Sequence, residues 1–232
     1  MERINPSVDD VWNDIKLFLN QEREEVFYNE RELQVRLDLY LEKTQKYKKI
    51  YLEYYVPVHD NKANVILKDY IWESEIRMDI VVATNDSFIP IELKYKTKKI
   101  MNSYISRFGE DIEDVDIIKE QSAQNIGRYD FWKDIKRIEV VKTRFGKVLG
   151  DIALFLTNDS SYYKTRNGRP AYYNFRLSDD NDGSNMAWLN APKIADEHPD
   201  FHLNDRYAPK WIDENDTALP DGWRCFYCLI KG

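Results

Sequence analysis

The first quarter of the chain alternates between helical and extended patterns of hydrophobic residues. Apolar side chains recur at helical spacing over residues 8–20 and again over residues 33–41, where Asn29 is a candidate N-cap. Two amphipathic helices are therefore predicted. Tyr51–Val58 is rich in Tyr and Val and carries Pro57 near its end, which predicts a strand after the second helix.

Two β-rich segments in the middle of the chain predict a tight hairpin. Glu75–Thr84 and Ser87–Lys96 are rich in β-branched and aromatic residues. Asn85 and Asp86 separate them, and both residue types tolerate the positive φ that a two-residue turn needs. The two segments are therefore expected to pair as neighbouring antiparallel strands.

This hairpin brings three charged residues together. If the two segments face each other from the turn outwards, Asp79 lies directly opposite Glu92, and Lys94 lies on the same face two residues further on. Pro90 cannot donate a ladder hydrogen bond, so a bulge at that position could disturb the register.

The second half of the chain predicts one long helix, two strands and an irregular segment. An acidic stretch, Glu110–Asp116, precedes a helical pattern at about 117–136, and strand patterns follow at Lys147–Thr157 and Trp223–Ile230. Residues 158–223 are rich in Asp, Asn, Gly and Pro but contain many aromatic residues, so we expect an ordered, irregular excursion over the core. The element order implies a mixed α/β sheet flanked by helices.

Composition and length are compatible with a single domain over residues 1–232, with a core at about 28–157. Hydrophobic residues make up 43% and aromatic residues 14% of the chain, which is enough for a packed core. The sequence has no apolar run long enough for a membrane span and no secretory signal pattern, and two cysteines cannot form a disulfide framework. We therefore expect a cytoplasmic protein without a membrane partner. The net charge of −7 argues against broad electrostatic binding to nucleic acid, although a local basic groove is compatible with it.

Two carboxylates on an otherwise apolar sheet face require compensation. A divalent cation supplies it, because Asp79 and Glu92 offer the hard oxygen ligands that Mg²⁺ or Mn²⁺ prefers. Lys94 would then lie where it can orient a water molecule or stabilise negative charge in a transition state. The alternative is a solvated ion-pair ladder of Asp79, Glu92, Lys94 and Lys96 on an exposed sheet face.

The spacing of these residues resembles that of the PD-(D/E)XK nuclease superfamily. Asp79, followed after twelve residues by Glu92-Leu93-Lys94, is similar to the family's metal-binding acid and (D/E)XK triplet, with Met78 where a proline often stands. The resemblance covers roughly residues 28–157 and implies a restriction-endonuclease-like fold. It also implies that Asp79, Glu92 and the Leu93 carbonyl bind the metal.

The resemblance implies further residues on two helices. Many members of the family carry a glutamate on the helix before the sheet, for which Glu32 is the best match and Glu30 the rival. Glu32 would bind a second metal or hold a metal-bound water from the outer shell. Some members carry a glutamine and a tyrosine on the helix after the triplet. Gln121 and Gln124 are similar to that glutamine and would orient Lys94 or contact the nucleic acid backbone, and Tyr129 is similar to that tyrosine.

Two basic segments flank the proposed site. Lys94–Lys99 holds four lysines in six residues, and Lys133–Lys147 holds six basic and two acidic residues. Such segments could contact phosphates, although a solvated helix face or loop is the commoner meaning of a basic run.

A zinc site is the less favoured reading of the Cys and His residues. Cys225 and Cys228, and likewise His198 and His202, have ligand-like spacings. However, the cysteines fall in a strand pattern, where residues three apart point to opposite faces. Buried thiols and loop histidines are therefore expected.

The residues and the resemblance together predict a Mg²⁺- or Mn²⁺-dependent nuclease, an endonuclease in restriction, defence or repair, that hydrolyses phosphodiester bonds of DNA. RNA is the alternative substrate. Cutting both strands of a duplex would favour a homodimer. The alternative from a different class is a catalytically inactive module of the same fold that binds nucleic acid or a protein partner.

Overall fold

The computed structural model describes residues 5–23, 26–121, 123–164, 168–212 and 219–231. These residues form four α-helices, one 3-10 turn at Tyr173–Phe175 and eight strands. In chain order the helices and strands are α1 (Val8–Gln21), α2 (Glu30–Lys43), β1 (Lys49–Val56), β2 (Ile76–Ala83), β3 (Phe88–Lys96), β4 (Ile100–Arg107), β5 (Glu110–Ile118), α3 (Gln124–Arg144), β6 (Gly150–Thr157), α4 (Pro192–Glu197), β7 (Lys210–Trp211) and β8 (Arg224–Lys231).

A six-stranded mixed sheet in the order β1-β2-β3-β6-β8-β7 forms the centre of the molecule. The β3 and β6 strands are parallel, and the other neighbouring pairs are antiparallel. The protein is therefore a mixed α/β protein, as the sequence predicts. Among the described residues, no helix has the length and apolar composition needed to cross a lipid bilayer.

Helices α1 and α2 cover one face of the sheet. The predicted N-cap is confirmed: the Asn29 side chain accepts a hydrogen bond of 2.9 Å from the Glu32 amide at the start of α2. Apolar residues of both helices pack on alternate residues of the central strands, among them Ile80, Ile91 and Leu93. This packing directs the intervening residues of β3, including Glu92 and Lys94, to the opposite face.

Helix α3 and the segment after β6 cover the other face of the sheet. Phe131, Trp132 and Ile135 of α3 pack on Phe155 and Phe226 of the sheet. The described residues of the 158–223 excursion complete this core with aromatic side chains, namely Tyr162, Phe175, Trp188 and Phe201. The excursion is therefore ordered over the core, as predicted, although it contains little regular secondary structure.

The predicted bounds of the long helix, about 117–136, are wrong at both ends. Residues 110–118 pair with residues 100–107 as a separate two-stranded sheet, so Ile117 and Ile118 belong to a strand. The long helix begins only at Gln124, after Ala123 with a φ of 63°, and continues to Arg144. The hairpin has Phe108 and Gly109 at its turn, with φ values of 55° and 85°, and the Phe108 side chain is fully exposed.

Candidate active site

The candidate site lies where β2 separates from β3. The predicted register is confirmed over the paired residues, which run from Ala83 opposite Phe88 to Ile80 opposite Ile91. Pro90 is paired with Val81 in the same register, so it introduces no bulge. The ladder ends at Ile80 and Ile91, and the next position of each strand is Asp79 or Glu92.

Side chains take over the hydrogen bonds that the ladder does not make around Asp79. On the β3 side, the Leu93 amide donates to Asp79 Oδ2 over 2.6 Å. On the β1 side, Glu53 has a φ of 50° and does not pair with Asp79. Gln34 of α2 donates from Nε2 to the Asp79 carbonyl oxygen over 2.6 Å and to Glu53 Oε1 over 3.0 Å. The Leu93 amide therefore holds the Asp79 carboxylate, and Gln34 holds the Asp79 backbone on the other side.

A second carboxylate binds the same edge of β3. The Tyr95 amide donates to Glu30 Oε2 over 2.7 Å, two residues along the strand from the amide that Asp79 accepts. The structure thus brings Glu30 to the site. Glu32 lies elsewhere, because its carboxylate accepts from the Tyr28 amide over 2.7 Å and is 3.6 Å from Arg36.

Glu92 is a deeply buried acid, as is Asp134 of α3. Both are 3% exposed, and the Oε1 atom of Glu92 has no hydrogen-bond partner among the described residues. Burial raises the pKa of Glu92 well above its usual range, and the negative charges of Asp79 and Asp134 raise it further. Burial likewise raises the pKa of Asp79 to about 6, despite the hydrogen bond from Leu93. A cation would stabilise both carboxylates.

Lys94 forms an ion pair with a carboxylate of α3. Its Nζ atom is 2.9 Å from Asp134 Oδ2, and Arg137 NH1 is 3.1 Å from Asp134 Oδ1. Burial alone would lower the pKa of Lys94, but the carboxylates of Asp134 and Glu30 act more strongly in the opposite direction, so the net shift is upward. Lys94 is therefore an ammonium group held between the sheet and α3, where it can donate hydrogen bonds or stabilise negative charge.

The charged stripe of α3 is the part of the site that the sequence analysis missed. Asp130, Asp134 and Arg137 follow one another at i, i+4 and i+7 and therefore share one side of the helix. The apolar residues Phe131, Ile135 and Ile138 lie beside this stripe and are buried. The sequence signal for this stripe was a line of charged residues along a helix whose neighbouring positions are hydrophobic. A helix face that is simply solvated does not need such hydrophobic neighbours.

Among the described hydrogen bonds, none joins Lys94 to either predicted glutamine. Gln124 Nε2 donates to Asp159 Oδ2 over 2.9 Å, and the Gln121 backbone amide binds the Thr97 carbonyl oxygen. Tyr129, the tyrosine associated with them, is buried, and its hydroxyl group accepts from Trp72 and donates to the Pro199 carbonyl oxygen. Asp134 occupies the place beside Lys94 that the glutamines were expected to fill.

The basic segments are largely paired with acids. In the first segment, Lys98 is 3.6 Å from Asp159 and Lys99 is 3.0 Å from Asp116. In the second, Lys136 is buried and lies 3.1 Å from Glu139. These contacts reduce the positive charge that either segment offers to phosphate groups.

The oxygen atoms of the site fit a hard divalent cation. Two carboxylates converge, and one buried carboxylate oxygen lacks a partner. In an extended strand the N–H and C=O of one residue point to the same edge, so the Leu93 carbonyl faces the edge where Asp79 binds the Leu93 amide. The described residues contain no group of three or more His, Cys, Asp or Glu side chains arranged around a metal position. The predicted set needs fewer, since it combines two carboxylates with a backbone oxygen.

The cavities described in the structure do not coincide with these carboxylates. A cleft of about 530 Å³ lies between α3 and the loop after β1, lined by residues that include Asp60, Lys136 and Arg144, but not by Asp79, Glu92 or Lys94. A partly covered site is consistent with the exposure of its members, since the Lys94 side chain is 17% exposed and that of Asp134 only 4%. A substrate would therefore meet Asp79 and Lys94 before Glu92.

The two cysteines lie in different cores. Cys225 packs in the core between the sheet and α1/α2, whereas Cys228 packs in the core between the sheet and α3. Both are buried thiols. This confirms that they point to opposite faces of β8, so they do not converge on one zinc ion.

Comparisons of the chain with protein-family models, with curated proteins and with solved structures give no match. The resemblance to PD-(D/E)XK nucleases therefore stays a prediction from Asp79 and the Glu92-Leu93-Lys94 triplet. The geometry and chemistry of the site are what bear on function.

Proposed function

We propose that this protein is a Mg²⁺-dependent nuclease that hydrolyses phosphodiester bonds of DNA, built on a restriction-endonuclease-like sheet. The observation that carries the proposal is the convergence of Asp79, Glu92 and Lys94 at the point where β2 leaves β3. Structural roles do not require two neighbouring buried carboxylates, because like charges in a desolvated site destabilise the fold. Electrostatic repulsion of this kind between buried carboxylates is typical of functional sites.

Asp79, Glu92 and the Leu93 carbonyl would hold the cation. When bound, Mg²⁺ (or Mn²⁺) neutralises charge on the phosphate and lowers the pKa of a bound water. The hydrogen bond from the Leu93 amide orients Asp79. A cation would stabilise Glu92 Oε1 in particular, because this buried oxygen has no hydrogen-bond partner among the described residues.

Lys94 would act on the attacking water or on the charge that develops on the phosphate. Its ion pair with Asp134 keeps Nζ protonated and fixes its position, so it serves as a hydrogen-bond donor and not as the general base. Asp134 also binds Arg137 and thereby links both cations to α3. Asp134 is thus a positioning residue for Lys94.

The test is incubation of purified protein with circular single-stranded and circular duplex DNA in Mg²⁺, Mn²⁺ or EDTA. Cutting of circles that requires a divalent ion would support an endonuclease. Lys94→Ala and Asp79→Ala should lower cleavage at least a hundredfold, whereas Lys99→Ala, which removes an exposed lysine paired with Asp116, should retain it. Undiminished cutting by Asp79→Ala would refute the assignment, and the same assay on RNA circles tests the other substrate.

A pair of substitutions on α2 distinguishes the two candidate glutamates. Glu30→Gln removes a charge that faces Asp79 and Lys94, whereas Glu32→Gln removes a charge that faces Arg36. Cleavage should therefore fall in Glu30→Gln and change little in Glu32→Gln. The reverse result would return the role to Glu32.

A catalytically inactive module is the second candidate, with a protein partner in place of nucleic acid. It is favoured by the ion pairs of Lys94, Lys98 and Lys99 with carboxylates, which leave less positive charge for nucleic acid. Calorimetric titration of the wild-type protein and of Glu92→Ala with Mn²⁺ discriminates the two functions. Heat of binding that disappears in the variant supports the nuclease, and its absence from the wild-type protein supports the module.

A further inference from the structure

A second pocket lies between α3 and the excursion, and neither the predicted nor the proposed chemistry uses it. It has a volume of about 330 Å³ and is lined by four tyrosines and three basic residues, with Ser and Asp side chains at its border. We call it the tyrosine pocket and define it by Arg128, Tyr162, Tyr163, Tyr172, Tyr173 and Arg176. Its volume is at the lower end of the range for small-molecule sites, about 300–1,000 Å³.

Arg128 makes one wall of the tyrosine pocket rigid. It is 3% exposed, and its guanidinium lies 4.5 Å from the centre of the Tyr162 ring and 4.7 Å from that of Tyr172. Its N–H groups also bind the carbonyl oxygens of Gln124 and Ser161. Because the cation is stacked between both rings, the ring orientations are set before any ligand arrives.

The opposite wall combines an aromatic ring with positive charge. The Tyr173 ring has Arg176 at 4.6 Å and Arg169 at 5.2 Å from its centre. Arg176 is restrained by an ion pair of 2.8 Å with Asp180, and Lys164 lines the same pocket. Three basic residues against one acid give the lining a net positive charge, within a segment of the chain, residues 158–223, that is acidic as a whole.

The back of the tyrosine pocket reaches the strand that carries Glu92 and Lys94. A Cβ atom at Gly127 of α3 would lie 2.7 Å from the Tyr162 hydroxyl oxygen and 3.3 Å from Lys96 Cε. Tyr162 therefore packs against α3 and next to Lys96, which is two residues along β3 from Lys94. The tyrosine pocket and the candidate site are thus connected through Gly127 of α3 and Lys96 of β3.

We propose that the tyrosine pocket binds one nucleoside monophosphate unit. Tyrosine faces stack on a base without regard to its sequence identity, and Lys or Arg at the rim binds the phosphate. The unit could be a free mononucleotide or an unstacked nucleotide within a single strand. In the second case the inference builds on the proposed nuclease, since the pocket would then hold the strand beside Asp79 and Lys94.

The test measures binding to the full-length protein in EDTA, which prevents cleavage. The probes are the four deoxynucleoside monophosphates, a short single-stranded oligonucleotide, ribose 5-phosphate and inorganic phosphate. Their binding is measured by quenching of intrinsic fluorescence and by calorimetry. We expect nucleotides to bind at least tenfold more tightly than the two probes without a base. Preference for the oligonucleotide over free nucleotides identifies the strand as the source, and the opposite preference identifies the mononucleotide.

Variants decide whether the tyrosine pocket is responsible. Tyr173→Ala should weaken nucleotide binding about tenfold, and Tyr173→Phe should retain it, because stacking needs the ring and not the hydroxyl group. Tyr55→Ala is the matched control, since it removes another tyrosine with an arginine, Arg77, over its ring at 5.3 Å. Equal binding by Tyr173→Ala and the wild-type protein, or equal affinity for phosphate and nucleotides, would overturn the proposal.

Lys94→Ala separates this inference from the proposed nuclease. It should abolish cleavage and leave nucleotide binding unchanged, because Lys94 does not line the tyrosine pocket. If the wild-type protein binds nucleotides but never cuts DNA, the proposal for the tyrosine pocket is supported and only the proposed nuclease activity is refuted. If it cuts DNA in a metal-dependent way but does not bind nucleotides, the nuclease activity is supported and the proposal for the pocket is refuted.

Discussion

Replacing Glu92 with glutamine should stabilise the metal-free protein while removing its response to metal. Glu92 is 3% exposed, its Oε1 lacks a partner among the described residues, and Asp79 and Asp134 repel its charge. Only Arg137 and Lys94 favour the ionised form. Glutamine keeps the shape of the side chain and removes the charge, so the repulsion disappears.

The expected change in the free energy of unfolding follows from this environment. A buried carboxylate whose pKa is raised destabilises the fold at neutral pH by up to about 1.4 kcal/mol for each pH unit by which the pKa is raised, and a neutral glutamine removes this cost. Since two cations partly compensate Glu92, we expect a gain of about 1–2 kcal/mol for Glu92→Gln. A metal present at a hundred times its dissociation constant adds about 2.7 kcal/mol to the wild-type protein alone, so the order of stability should reverse.

Urea denaturation followed by circular dichroism, in EDTA and in excess Mn²⁺, measures both effects. Glu75→Gln is the control, because Glu75 is exposed and its ion pair with Arg77 lies at the surface. That variant should differ from the wild-type protein by less than about 0.5 kcal/mol in either buffer. If Glu92→Gln lost more than about 1 kcal/mol in EDTA, or gained as much from Mn²⁺ as the wild-type protein, the reasoning would be refuted.

Three further substitutions test other parts of the structure by urea denaturation. Asp151 is fully buried, both its carboxylate oxygens lack partners among the described residues, and burial raises its pKa well above the usual value. The wild-type protein should therefore lose up to about 1.4 kcal/mol per pH unit relative to Asp151→Asn as pH rises from about 4 towards the raised pKa, and the difference between the two should stay constant below about pH 4; a constant difference over the whole pH range would contradict this. Glu139 accepts hydrogen bonds from the Asn204 amide over 2.7 Å and from the Asp205 amide over 3.1 Å, so Glu139→Ala should lower the free energy of unfolding by about 3 kcal/mol, with Glu139→Gln less affected. Asn29→Ala removes the cap of α2 and should cost about 1 kcal/mol, whereas Asn29→Asp should retain the stability; equal midpoints for all three proteins would show that the cap contributes nothing.

Features governed by local chemistry were predictable from the sequence. The register of β2 and β3 follows from a two-residue turn and from alternation of apolar residues, and both constrain the same strands. The opposite orientations of Cys225 and Cys228 follow from the period of a strand alone. The contact of Asp79 with the edge of β3 could be predicted from this register alone.

Features that depend on long-range packing were not predictable in this way. Glu30 and Glu32 are two residues apart on a helix and point about 200° from each other, so the choice between them depends on how α2 is rotated against the sheet. Asp134 and Arg137 belong to a polar stripe whose burial depends on the sheet below it and on the excursion beside it. In β5, consecutive acidic residues obscured the alternation that would have indicated a strand.

Because β8 lies inside the sheet, the sheet cannot be completed until the residues of β8 have been synthesised. β8 lies between β6 and β7 and pairs with every residue of β6, yet it is translated long after β6. Until residues 224–231 have left the ribosome, the nascent chain carries an apolar strand with an unpaired edge, which is a template for aggregation. Such a long-range pairing also favours slow folding. Production of the protein should therefore benefit from slow expression at low temperature, which lowers the concentration of chains waiting for this strand.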